Sequence, residues 1–98
     1  MNATNGISEG RHIRKIPGGK MLKVVVRVEN GKITYVRFHG DYFVYPEEAV
    51  EDMEREIYGK NLEEAKEIIE KYLSSADMVG ISVKDFCEAL EEAYKKAR

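Results

Sequence analysis

The chain has 98 residues, of which 43% are hydrophobic and 35% are charged, and its formal net charge is -2. This length predicts one compact domain with a modest core and excludes a large multidomain enzyme. A single cysteine excludes an internal disulfide framework, and no apolar run approaches the length of a membrane span or a signal-peptide core, so we expect a cytoplasmic protein.

Three antiparallel strands are predicted within the first forty residues. Residues 1–10 are small and polar and are expected to form a flexible tail, which leaves 11–98 as the single folded domain. A short strand ends at Ile16, where the Pro-Gly-Gly segment 17–19 predicts a turn. Residues 20–28 alternate apolar and charged side chains and are rich in valine, which predicts a strand with one face in the core.

The hairpin that follows allows two registers. As a two-residue turn, Asn30-Gly31 would place Val24 opposite Arg37, whereas a three-residue loop over 29–31 would place Val24 opposite Val36. The three-residue loop keeps one face of the sheet apolar, and we therefore expect it. The other face would then carry Arg27, Ile33, Tyr35 and Arg37.

A short aromatic linker, 40–46, separates the strands from the first predicted helix. This helix is expected to begin near Glu47, because proline and acidic residues suit a first helical turn, and to end before Gly59. Its buried stripe would consist of Val50, Met53 and Ile57.

Two capping boxes, Asn61 with Glu64 and Ser82 with Asp85, predict the starts of two further helices. Their buried positions would be Leu62, Ala65, Ile68, Ile69 and Leu73 in one helix, and Phe86, Ala89, Leu90 and Ala93 in the other. The predicted fold class is α+β, with a three-stranded antiparallel meander followed by about three helices packed on one face. The uncovered face of the sheet is then the natural place for a partner.

Residues that could carry chemistry form no strong constellation. His39 and Asp41 lie close together at a strand end, which permits an acid–base hypothesis, but hydrogen bonding of Asp41 to turn amides is the simpler interpretation. His12, His39 and Cys87 are scattered and lack the paired spacing of a zinc or iron site, so we expect no metal ligand and no catalytic residue on this chain. Cys87 is expected to be a small buried hydrophobic residue.

Charge is divided unevenly along the chain. Residues 1–40 carry eight Lys or Arg and two Glu, a net of +6, whereas 41–98 carry eight Lys or Arg and sixteen acidic residues, a net of -8. The basic part permits a nucleic-acid hypothesis in which Tyr35 stacks on a base, but the overall acidity and the lack of a nucleic-acid motif argue against it. The absence of glutamine and the many Glu and Lys residues are typical of proteins from hot environments.

Several short motifs follow one another in a specific order from about Ile13 through the third predicted helix. They are Gly18-Gly19-Lys20, a valine-rich strand, Asn30-Gly31-Lys32-Ile33, Gly40-Asp41-Tyr42-Phe43, a helix ending at Gly59, and Gly80-Ile81-Ser82-Val83-Lys84-Asp85-Phe86. This ordered series resembles the accessory, C-terminal domain of lipoate-protein ligases. Tyr42 stands where that family more usually has phenylalanine.

The resemblance implies a function in protein lipoylation. In that family a larger catalytic domain binds lipoate and ATP, forms lipoyl-adenylate and transfers the lipoyl group to a lysine of an acceptor protein. A free-standing accessory domain therefore implies a heterodimeric ligase, in which this chain binds the catalytic subunit and enables lipoate adenylation. ATP, magnesium and lipoate are expected on the catalytic subunit and no cofactor on this chain, and no binding to membranes is expected.

Five residues are expected to contact the catalytic subunit: Lys20, Arg27, Asp41, Tyr42 and Phe43. They combine unpaired charge with aromatic side chains next to the strands, a composition typical of protein interfaces. For Tyr42 and Phe43, filling of the core is the alternative, because aromatic residues at a strand–helix junction often pack inward.

The segment Gly59-Lys60-Asn61-Leu62-Glu63-Glu64-Ala65 is also similar to a helix start in iron–sulfur cluster scaffold proteins, which share the order of elements. Those scaffolds hold the cluster with several thiolates, and Cys87 is the single cysteine of this chain. This second resemblance therefore implies a shared fold without a cluster.

Overall fold

Antiparallel strands and three helices build the molecule, in the α+β arrangement that the sequence predicts. The computed structural model describes residues 7–18 and 20–97. The elements in chain order are β1 (Ile7–Ile16), β2 (Lys20–Glu29), β3 (Lys32–Gly40), β4 (Phe43–Tyr45), α1 (Glu48–Ile57), α2 (Leu62–Leu73), β5 (Asp77–Val79) and α3 (Val83–Lys96).

Strand β1 begins earlier than the sequence predicts. Residues 7–10, expected in a tail, form its first part and pair with residues 26–29 of β2. The expectation is wrong there because β2 supplies the backbone partners for a segment without apolar alternation of its own, and a local pattern does not show this. Gly10 also lies tightly under α3, since a Cβ at this position would be 2.0 Å from the Ala93 carbonyl oxygen. Residues 1–6 lie outside the described part of the chain, and the tail remains a prediction for them.

The turn between β2 and β3 contains two residues. Asn30 and Gly31 have φ values of 54° and 80°, and Glu29 pairs directly with Lys32. Both central residues are therefore left-handed, as the type I′ turn requires, and Asn-Gly is the preferred sequence for it. The predicted three-residue loop is wrong.

A bulge in β3 restores the apolar face that the three-residue loop was expected to provide. The register shifts at Thr34, so that Val24 pairs with Phe38 and not with Val36. Because the extra residue reverses the alternation of side chains, Ile33 points inward together with Val36 and Phe38. The prediction that Ile33 lies on the outer face is therefore wrong, since its side chain is fully buried.

The core lies between the inner face of the β1–β2–β3 sheet and the helices. Helix α3 packs on β1 and β2, and α2 packs against α1 and α3. Both capping boxes form, with the Asn61 side chain accepting from the Glu64 amide at 2.9 Å and Ser82 accepting from the Asp85 amide at 3.2 Å. The most deeply buried side chains are Leu22, Val24, Val26, Ile33, Met53, Ile57, Ile69, Leu73, Phe86 and Leu90.

Two of the predicted core positions, Val50 in α1 and Leu62 in α2, are only half-buried, and Ala49 is buried next to Val50 at the start of α1. None of the described helices is long and apolar enough to cross a membrane, and the longest, α3, has 14 residues.

A two-stranded ribbon, β4–β5, was not expected from the sequence. Residues 43–45, predicted to be part of a linker, pair antiparallel with residues 77–79, which follow α2. Phe43 pairs with Val79 and Tyr45 with Asp77, while Val44 points into the core. The ribbon lies beyond the open end of the β2–β3 hairpin, so the segment after β3 is held in place at both ends.

Candidate functional site

The outer face of the β4–β5 ribbon exposes three large apolar side chains. Phe43 is 52% exposed, Tyr45 58% and Val79 60%. Phe43 and Val79 are cross-strand partners and Tyr45 follows two residues later on the same face, so the three side chains form one patch, here called the ribbon patch. Contiguous exposed apolar surface of this kind marks an interaction site.

Lys20 and Asp41 lie next to the ribbon patch. A Cβ at Gly80 would be 3.0 Å from the Cε atom of Lys20, which places the lysine stem over the residue that follows Val79. The Asp41 amide donates to the Met21 carbonyl oxygen at 3.1 Å, so Asp41 is held at the same end of the meander. The structure thus brings three of the five predicted contact residues, Lys20, Asp41 and Phe43, to one end of the molecule.

Tyr42 is turned toward the core. Its ring packs edge-on against Phe86 with a centroid separation of 5.2 Å, and its hydroxyl donates to the Phe38 carbonyl oxygen at 3.3 Å. Burial, with a contribution from the Glu54 charge, raises the pKa of Tyr42 to about 12. The two aromatic neighbours therefore have different environments, since Tyr42 is half-buried beneath the surface on which Phe43 is exposed.

Arg27, the fifth predicted contact residue, lies elsewhere. It is seven residues from Lys20 along β2, a separation of roughly 23 Å in a strand. Its Nε donates to Glu9 Oε1 at 3.0 Å, and its guanidinium lies 4.7 Å from the centre of the Tyr35 ring. Arg27 is therefore part of the outer face of the sheet and not of the ribbon end.

The outer face of the sheet is predominantly basic. Cross-strand rows place Arg11, Val25 and Arg37 side by side, followed by Ile13, Lys23 and His39 in the next row. Five Lys and Arg side chains point outward here, and this surface is called the basic sheet face: Arg11, Lys15, Lys23, Arg27 and Arg37.

Most acidic residues lie on the opposite, helical side of the molecule. The exposed surfaces of the three helices include Glu48, Glu51, Glu63, Glu64, Glu67, Glu70, Glu88 and Glu92, among others. The charge division read from the sequence is thus a division between two faces of the fold.

Glu54 is a site residue that the sequence does not reveal. Its carboxylate accepts the Phe38 amide at 2.8 Å, and thereby caps the free edge of β3. Burial raises the pKa of Glu54, although the Phe38 amide and the nearby Arg37 charge oppose the shift. Glu54 also lines a shallow depression of about 390 Å³ beside Phe43 and Tyr42, large enough to receive a partner side chain. In the sequence, Glu54 is one of several acidic residues of α1, and nothing in the pattern indicates its contact with the Phe38 amide.

The residues considered for catalysis or metal binding are not brought together. His39 and Asp41 are both exposed, and no hydrogen bond joins them within the described chain. Cys87 is half-buried between α2 and α3, where burial raises the pKa of its thiol and the sulfur lies 3.9 Å from the Lys66 carbonyl oxygen. Across residues 7–18 and 20–97, no group of three or more His, Cys, Asp or Glu side chains is arranged to hold a metal ion.

Comparison with known proteins gives a family and a fold. Residues 9–90 match the family model described as the bacterial lipoate protein ligase C-terminus. A curated relative, lipoate-protein ligase A subunit 2 from Thermoplasma acidophilum, is 24% identical over 71 residues, which cover 71% of this chain and 76% of the relative.

A solved structure of similar fold comes from the same organism. It belongs to a structural study of an archaeal lipoylation system, a bi-partite lipoate protein ligase and its E2 lipoyl domain. The match has a TM-score of 0.71 at 20% identity and covers 86% of this chain and 93% of that chain. It confirms the predicted α+β fold.

Proposed function

The chain belongs to the family of the bacterial lipoate protein ligase C-terminus, and on this premise we propose that it is the accessory subunit of a two-part lipoate-protein ligase. It binds a separate catalytic subunit and enables that subunit to form lipoyl-adenylate from lipoate and ATP. The similarity to subunit 2 of the Thermoplasma ligase supports a separate small subunit, because that relative is also one part of a two-part enzyme. Lipoate, ATP and magnesium bind on the catalytic subunit, and the complex works in the cytoplasm.

The observation that carries this proposal is the ribbon patch. Phe43, Tyr45 and Val79 keep more than half of their surfaces exposed, although a chain of this size has few large apolar residues to spare from its core. An apolar centre bordered by charge is the composition of a lasting subunit contact. Lys20 and Asp41 supply that charged border at the same end of the molecule.

Tyr42 supports this contact from behind. Its ring is packed against Phe86 of α3, and its hydroxyl is fixed on β3, so the backbone leading to Phe43 is anchored on two elements of the core. A rigid support lowers the entropy cost of binding, because the patch does not need to be ordered when the partner arrives. The accessory subunit would then act by holding the catalytic subunit closed around the adenylate, a role of positioning without a chemical step on this chain.

Complex formation between the two purified subunits tests the proposal. We expect a 1:1 heterodimer by size-exclusion chromatography, and we expect Lys20→Glu to weaken it. Lys95→Glu is the matched control, because Lys95 is an exposed lysine on α3 whose reversal changes the net charge equally. Failure of the wild-type chains to associate would contradict the proposed function, and equal weakening by both variants would remove Lys20 from the interface.

A further inference from the structure

The ribbon patch and the basic sheet face differ in chemical composition, although both are exposed. The ribbon patch is apolar, with Phe43, Tyr45 and Val79 exposed on one face of two paired strands. The basic sheet face instead carries five cations and two acids. Glu9 is shared between Arg11 and Arg27 at 2.8 and 3.0 Å, and Glu29 lies opposite Ile7 at the hairpin end. Two surfaces of such different composition favour two different kinds of contact.

The cations of the basic sheet face outnumber its acids, and two of the five have no ion pair among the described residues. Among the described residues, neither Lys15 nor Lys23 has an acidic oxygen within 4.0 Å, and Arg37 reaches Glu54 only at 4.0 Å. Arg37 and Arg27 are about half exposed, so their charges are directed into solvent. An excess of positive over negative charge on one face of a sheet creates a positive potential that attracts an acidic surface.

The helical side determines how an acidic partner can approach. Its many exposed glutamates repel a negatively charged protein, whereas the basic sheet face attracts it. The division of charge therefore orients the partner as well as attracting it, and a net charge of -2 for the chain does not prevent the encounter.

We infer that the basic sheet face docks the acceptor domain, the protein whose lysine receives the lipoyl group, through an acidic surface of that domain. This inference rests on the proposed function, which assigns the catalytic subunit to the ribbon patch. An acceptor must associate and leave in every turnover, and contacts between exposed charges serve this because they speed association more than they slow dissociation. A lasting subunit contact relies instead on contiguous apolar area, which the ribbon patch has. On the basic sheet face each outward apolar side chain lies opposite a charged one in the cross-strand register: Ile7, Ile13, Met21, Val25 and Tyr35.

Charge reversal in the assembled ligase tests the inference. The test variant is Lys15→Glu with Lys23→Glu, two exposed side chains whose replacement breaks no ion pair among the described residues. The matched control is Lys84→Glu with Lys95→Glu, which changes the net charge equally on the helical side. For each heterodimer, lipoyl-adenylate formation and transfer of the lipoyl group to an isolated E2 lipoyl domain are measured separately, at low and at high salt.

The expected result is a rise of about tenfold in the KM for the acceptor domain in the test variant at low salt, and less than about twofold in the control. The difference should disappear at high salt, and adenylation should be unchanged in both. An unchanged KM in the test variant, or an equal change in the control, would overturn the inference. Loss of heterodimer or of adenylation in the test variant would also overturn it, because the basic sheet face would then belong to the subunit interface.

Failure of the proposed function would be detected by a different measurement, the formation of lipoyl-adenylate without this chain. If the catalytic subunit forms lipoyl-adenylate equally well without this chain, titration of the chain alone with the E2 lipoyl domain still tests the docking surface. Salt-sensitive binding that the Lys15→Glu, Lys23→Glu variant weakens and the control variant retains would support docking, and the absence of such binding would overturn it.

Discussion

Replacing Phe43 with alanine should weaken the heterodimer strongly while leaving the accessory subunit folded. A phenylalanine side chain buries roughly 200 Å² when fully enclosed, and about half of the Phe43 surface is exposed in the free chain. Covering roughly 100 Å² at about 25 cal/mol per Å² contributes about 2.5 kcal/mol to association. Its loss corresponds to an increase of about 70-fold in Kd.

Isothermal titration of the catalytic subunit with each variant measures this change. Tyr58→Ala is the control, because Tyr58 is also an exposed aromatic residue, 64% accessible, but lies at the far end of α1, ten residues or roughly 15 Å along the helix axis from its start next to the ribbon. We expect the Kd of the control to change less than about threefold. Thermal unfolding of the isolated subunits verifies that both variants fold.

Two results would contradict the predicted contact between the ribbon patch and the catalytic subunit. A Kd for Phe43→Ala within about threefold of the wild-type value would show that the ribbon patch does not contact the catalytic subunit. An equal loss for Phe43→Ala and Tyr58→Ala would show that exposed aromatic side chains matter generally and that the ribbon patch has no special position.

Three further predictions concern the fold that holds these surfaces. Gly10→Ala should destabilise the chain by about 3 kcal/mol, because the new methyl group would lie 2.0 Å from the Ala93 carbonyl oxygen and force α3 away from β1; an unchanged melting temperature would contradict that packing. Tyr42→Phe should cost no more than about 1 kcal/mol, the net contribution of one hydrogen bond, and should leave heterodimer formation intact; a large loss of stability in urea titrations would show that the hydroxyl has a further role. Because burial raises the pKa of Glu54, its ionised form costs stability above that raised pKa and the cost disappears below the ordinary value near 4.5. Glu54→Gln should therefore raise the melting temperature at neutral pH and have no effect well below pH 4.5, and a lower melting temperature at neutral pH would contradict the sign.

The elements with strong local signals could be predicted from the sequence. Helices α2 and α3 begin where capping boxes at Asn61 and Ser82 predict, because the cap and its partner three residues later form a contact that is complete within one turn. Strand β2 was equally clear from its alternation. The turn and the bulge of the β2–β3 hairpin were not, because a bulge at Thr34 and a longer loop both place Val36 and Phe38 on the inner face. The two arrangements differ in cross-strand register and in the face on which Ile33 lies.

The candidate site could be predicted only in part. Lys20, Asp41 and Phe43 were expected to act together, and they do lie at one end of the molecule. Their arrangement depends on the β4–β5 ribbon, whose strands have three residues each and lie more than thirty residues apart in the chain. The segment from Gly40 to Tyr45 was expected in the contact surface, but strands this short carry no detectable alternation, so the position of Val79 beside Phe43 could be found only from the fold.

The decisive property proposed for this chain is that lipoate adenylation depends on it. The measurement is the rate of lipoyl-adenylate formation by the catalytic subunit, from lipoate, ATP and magnesium, as this chain is added in increasing amounts. We expect a slow rate for the catalytic subunit alone and an increase that saturates at one accessory subunit per catalytic subunit. Equal rates with and without the chain would contradict it.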